Sequence, residues 1–82
     1  MYVHIGKDTI INSDTIIAIL DIESLEKKKK LEEVLQNLKI SDKIIDVSEG
    51  NKKSLIILKK KEAIKGYITN ISSTTIAKRA NK

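Results

Sequence analysis

An α+β fold, a small and mostly antiparallel sheet carrying one central helix and a short C-terminal helix, is predicted by three features of this 82-residue chain. β-branched and alternating segments crowd both ends. A single stretch, Ser24 to Lys39, repeats Leu31, Val34, Leu35 and Leu38 at helical spacing. The ending SSTTIAKRA sets hydroxyl residues before a short run that closes on cations, the order expected of a capped helix.

In chain order, Tyr2 to Ile5 alternates, with Val3 and Ile5 on one face and Tyr2 and His4 on the other. Gly6 to Asp8 supplies a turn, Thr9 to Asn12 returns as a short strand, and Thr15 to Ile22 reads as a central strand after the Ser13-Asp14 turn. These segments predict an N-terminal meander. In the helix, Lys27 falls on the same stripe as Leu31 and Lys28 at its edge, so the first turn either overhangs the core or the helix starts later. Glu26 and Lys30 form a favourably ordered pair, worth a few tenths of a kcal/mol.

Lys43 to Val47 and Lys53 to Lys59 are expected to pair as an antiparallel hairpin through the turn around Gly50, which can take positive φ. A second reversal at Lys60 to Glu62 leads into Ala63 to Ile71. There Ile64, Gly66 and Ile68 are expected inward and Lys65, Tyr67 and Thr69 outward, with Gly66 marking a bulge or a close backbone approach. Ser72 or Ser73 is expected to cap the last helix, which ends at Lys78 and Arg79. No repeat or linker divides residues 1–82, which read as one domain.

Composition narrows the function. A chain of this size hides roughly 60–65% of its unfolded surface, a thin core that self-association would help. Without Phe or Trp the core is aliphatic, and base-stacking modules, which need aromatic platforms, are disfavoured. The absence of cysteine and of a long apolar segment predicts a soluble cytoplasmic protein with no membrane role. Residues 1–26 hold Lys7 against Asp8, Asp14, Asp21, Glu23 and Glu26, a balance of −4, so the remainder carries +9 to give the net +5. Such asymmetry suits a polyanion partner or head-to-tail contact between copies.

Nothing predicts an enzyme, a bound cofactor, a metal or a small-molecule substrate. His4 is the only histidine, Asp21 and Glu23 sit where acids commonly precede a helix, and no glycine-rich phosphate loop is present. The cationic residues are the candidate site. Asn51, Lys52 and Lys53 follow Gly50, Lys59, Lys60 and Lys61 close the same strand, and Lys65 lies next door. These lysines suit phosphate contact, while Arg79, the one arginine, leaves little for base readout. Strand-end lysines also discourage edge-to-edge aggregation, so both uses stand open.

The segments YVHIG, TIIAILDIE, GNKKSLIIL and ISSTTIAKRA, in this order, resemble the RemB branch of the bacterial extracellular matrix regulatory proteins, relatives of RemA. The resemblance implies a small α+β protein forming homo-oligomers, ring-like in shape, that binds double-stranded DNA and regulates matrix and biofilm genes. It implies DNA contacts at Asn51, Lys52 and Lys53, and near Asp14 and Thr15. The match is partial, because Asn51 replaces a cation and Asp14-Thr15 carries none. The alternative is a non-enzymatic assembly or protein-interaction module without direct DNA binding.

Overall fold

The computed structural model describes residues 1–40 and 43–81. Strands β1 (Tyr2–Gly6) and β2 (Thr9–Asn12) form an antiparallel hairpin of their own. A 3-10 turn over Ser13–Thr15 follows, with the Asn12 side chain accepting from the Asp14 amide, and delivers the chain to β3 (Ile16–Asp21) in a second sheet. Helices α1 (Ile22–Lys27) and α2 (Leu31–Asn37) come next, then β4 (Ile44–Asp46), β5 (Ser54–Lys60), β6 (Ala63–Thr69) and α3 (Ser73–Ala80). The four-stranded sheet runs β3-β5-β6-β4.

Strand β5 positions everything else. Leu55, Ile56, Ile57 and Leu58 are all buried, as their unbroken aliphatic run predicts. Alternate side chains enter different cores. Ile56 and Leu58 join Val3, Ile5, Ile11, Tyr67 and Ile76 beneath the β1–β2 hairpin and α3. Leu55 and Ile57 join Ile22, Leu35, Ile40 and Ile68 beneath α1 and α2. The α+β class is therefore realised as a sheet covered on both faces.

Several expected pairings are replaced. No N-terminal meander forms, because the 3-10 turn swings β3 away from β2 and onto β5, Ile19 facing Ile56. Strand β3 is an edge strand, and the central pair is β5–β6. The predicted β4–β5 hairpin is a crossover instead: β4 pairs in parallel with β6, while β5 and β6 form the antiparallel hairpin. The reason is visible in two backbone bonds. The Val47 amide donates to the Ile68 carbonyl and the Lys53 amide to the Thr69 carbonyl, so the intervening loop arches over the end of β6 from one edge to the other.

The central helix is broken in two. Lys29 has φ +54°, and the chain turns between Lys28 and Lys30, which places Lys27 at the end of α1 and removes the conflict on the apolar stripe. The break also cancels the Glu26–Lys30 pair; Glu23 and Lys27 form an exposed ion pair at 3.4 Å instead. Tyr67 and Thr69 are buried rather than outward, because the N-terminal hairpin and α3 cover the face they were expected to show to water.

Burying Thr69 demands partners for its hydroxyl. It donates to the Ile5 carbonyl and accepts from the Ile71 amide at 3.1 Å, tying the hairpin to β6. Gly66 marks a close approach, as one of its two expected roles, without a shift in register. A Cβ there would stand 2.8 Å from Ile44 Cδ1 and 3.2 Å from Leu55 Cδ1. Ser72 caps α3 by accepting from the Thr75 amide, and Arg79 donates to the His4 carbonyl at 2.9 Å.

Two measurements check this packing. Thr69→Val leaves the Ile5 carbonyl without its donor and is expected to lower unfolding free energy by about 1–3 kcal/mol in urea titration, with Thr69→Ser losing less. Gly66→Ala is expected to destabilise the wild type and to be neutral or better beside Ile44→Val, which removes Cδ1; equal losses in both backgrounds would refute the contact.

Candidate nucleic-acid interface

The loop between β4 and β5 is built from its first residues. The Ser48 hydroxyl and amide both donate to Asp46 Oδ1, at 2.6 and 2.8 Å, an Asx-type closure that starts the turn. Glu49 (φ +55°) and Gly50 (φ +89°) then reverse the chain in left-handed conformations, and the Asn51 amide returns to the Ser48 carbonyl. Gly50 thus takes the positive φ expected of it, within an arch rather than a hairpin. Lys53 is fixed on both sides, its amide on Thr69 and its carbonyl accepting from Ile22. Asn51, Lys52 and Lys53 stand exposed on this anchored arch.

Their surroundings are mixed in charge. They share a shallow groove of about 410 Å³ with Asp21, Glu23, Glu26 and Ser72. The Ser48 hydroxyl, then the Ser48 amide, hold the Asp46 carboxyl below its usual range; Lys52 and Lys7 add to this against the opposing effect of burial.

The other candidate lysines lie elsewhere. Lys59 and Lys60 end β5, Lys61 occupies the turn at φ +59°, and Lys65 faces Leu58 from β6. Strand β5 has seven residues, so roughly 20 Å of strand separates this group from Lys53. The structure divides the predicted constellation in two. Lys65 Nζ stands 5.4 Å from the centre of the Tyr67 ring, a cation–π contact.

Lys60, Lys61 and Lys65 border a groove of about 520 Å³ with Tyr2, Ile10, Asn12, Thr15, Leu58 and Tyr67. Thr15 therefore belongs to this end of the sheet and not to the Asn51–Lys53 loop. Sequence reasoning missed the groove, because it needs the β1–β2 hairpin folded across the β5–β6 turn. The exposed Tyr2 and Ile10 were its only local signal.

Among the described residues no helix is long and apolar enough to cross a membrane. The family model described as RemA-like, extracellular matrix regulatory protein A-like, matches residues 2–80. No curated protein matches the chain.

The lowered Asp46 gives a pH test. Its folded form releases the proton more readily than the unfolded chain, so its contribution is present above the ordinary carboxylate range, about pH 4, and is lost as pH falls through the lowered value. Asp46→Asn is expected to melt below the wild type at pH 7, with the gap shrinking as melts are repeated below about pH 4. A gap independent of pH would remove Asp46 as the anchor of the loop.

Proposed function

The chain belongs to the RemA-like family of extracellular matrix regulatory proteins, and from that premise we propose that it is a homo-oligomeric, DNA-binding transcriptional regulator of matrix and biofilm genes. One observation carries the reading: Asn51, Lys52 and Lys53 are exposed on a loop whose two ends are hydrogen-bonded to β6. Anchored cations meet phosphates with less ordering cost than cations on a free tail. A single lysine pair binds weakly, but copies of it on one assembly engage one duplex by avidity.

The chemistry favours backbone contact over base readout. Lysine meets phosphate as a point charge, whereas the forked guanidinium of Arg79 is engaged by the His4 carbonyl at the far end of α3. The carboxylates of Asp21, Glu23 and Glu26 beside Lys52 and Lys53 oppose a polyanion. They favour the second reading, a protein-interaction module, to the extent that they outweigh the loop.

Fluorescence anisotropy with a labelled duplex separates the two. Affinity is expected to fall as salt rises, by about 0.9 in log K per log salt for each phosphate neutralised. Lys52→Glu with Lys53→Glu is expected to weaken binding at least about tenfold, since it replaces attraction by repulsion at two contacts. Unchanged affinity in that variant would remove the loop from the interface. A wild-type chain that ignores duplex at about 50 mM salt, where such contacts are strongest, would leave the interaction module.

A further inference from the structure

The β1–β2 hairpin is a sheet of two strands, and α3 lies along β1 only. Its register sets His4 opposite Ile10, and the His4 carbonyl turns outward to accept from Arg79. Facing residues of an antiparallel pair point their backbone groups either both inward or both outward, so Ile10 presents its amide and carbonyl away from β1. The neighbouring pair agrees: the Ser13 amide bonds inward to the Met1 carbonyl, which leaves Ile10 and Asn12 as the outward positions of β2. Among the described residues no other element bonds to the Ile10 backbone.

The groove of about 520 Å³ runs beside this edge. Ile10, Ile11 and Asn12 all line it, and three successive residues with alternating side chains share one groove only along the edge of a strand. Lys60, Lys61 and Lys65 stand on its other bank, above the buried Leu58 and Tyr67. No carboxylate among the described residues lines it. Of the residues next to the lining ones in the chain, Lys59 adds a cation and Asp14 and Glu62 a carboxylate each, so four lysines still face two acids. Tyr2 and Ile10, at 74% and 61% exposure, hold apolar surface in water beside the edge. We propose that this edge binds an extended, acidic segment of another protein, which adds to β2 as a third strand, lays an apolar side chain on Tyr2 and Ile10, and turns carboxylates toward Lys60, Lys61 and Lys65.

Each feature selects the same occupant. Ile10 offers both a donor and an acceptor, which an extended main chain answers in kind, whereas a phosphate backbone brings acceptors alone. Strand addition draws affinity from those main-chain hydrogen bonds and specificity from side chains at alternate positions. The lysines favour carboxylates, and Lys65 already stands over the Tyr67 ring, 5.4 Å from its centre. The edge is also preorganised: Ser13 ties the open end of the hairpin to Met1, and Thr69 ties β1 to β6. Little ordering cost then falls on this chain when the segment binds. The contact lies at the other end of β5 from Asn51, Lys52 and Lys53, and it does not depend on the function proposed above.

Fluorescence anisotropy of the full-length protein with labelled synthetic peptides tests the edge, the probes being short segments that alternate Glu with Val, Ile, Leu or Tyr. Binding by at least one of them is expected, weakening as salt rises. N-methylation of every second peptide amide is expected to weaken it at least about tenfold in one phase of the alternation and to leave it unchanged in the other, because a single edge of the peptide is hydrogen-bonded. Ile10→Ser, and separately Lys60→Glu with Lys61→Glu, are expected to cost at least about tenfold each with unchanged circular dichroism. Should the charge reversal fail to fold, Lys60→Gln with Lys61→Gln is measured in its place and is expected to weaken binding by a smaller factor. Loss in both methylation phases or in neither would overturn strand addition, as would the failure of every peptide to bind. A DNA duplex that displaces the bound peptide would assign the groove to nucleic acid, and a peptide that lowers the mass seen by light scattering would assign it to a second copy. Either result would overturn the proposal.

Discussion

Burial of β5 on both faces is the constraint from which the architecture follows. An 82-residue chain without Phe or Trp excludes water almost wholly with short aliphatic side chains, Tyr67 being the one aromatic among the described buried residues. One strand feeding two cores doubles the use made of each residue, since Ile56 and Leu58 serve one layer while Leu55 and Ile57 serve the other. The arrangement requires cover on both sides. The β1–β2 hairpin with α3 supplies one layer and the two short helices the other. Polar groups caught between layers then need internal partners, and Thr69, Ser48 and Ser54 each find one on a carbonyl or carboxylate.

Those features governed by local rules were readable in the residues. Val3 and Ile5 alternate inward, Leu55 to Leu58 form a buried run, and Ser72 caps α3 through the Thr75 amide. The misplaced Lys27 and Lys28 signalled a conflict on the stripe but not its resolution: the helix neither overhangs nor starts later but breaks in two, with no Gly or Pro to mark the break and Lys29 taking the left-handed conformation itself. What escaped depends on distant layers. Alternation in β6 suggested a wet outer face, but Tyr67 and Thr69 carry polar handles that tolerate burial once bonded or capped by Lys65. The parallel β4–β6 pairing rests on three residues of strand, too few for a periodicity to declare a partner. For the site, the lysines were identifiable, but their division between two ends of the sheet was not, because sequence proximity along β5 conceals strand length.

Charge is distributed to serve two surfaces that a net value cannot separate. The anchored loop combines cations with carboxylates from α1, whereas the groove under the β1–β2 hairpin combines cations with apolar side chains. The carboxylates beside the loop lower the positive potential that Lys52 and Lys53 set up there, whereas no carboxylate among the described residues lines the other groove.

The arch over the end of β6 also dictates how the chain comes into being. Strand β4 is made early but can pair only with β6, and β5, between them in sequence, must cross to the far side before either edge closes. During synthesis, β4 therefore emerges with its backbone groups wetted, and the N-terminal hairpin waits for α3 and for the Thr69 hydroxyl before its inner face is dry. The domain has no natural halfway product: a chain stopped before residue 63 lacks the partner of β4 and one wall of each core, leaving aliphatic surface open to proteases and to chaperones until the last quarter arrives.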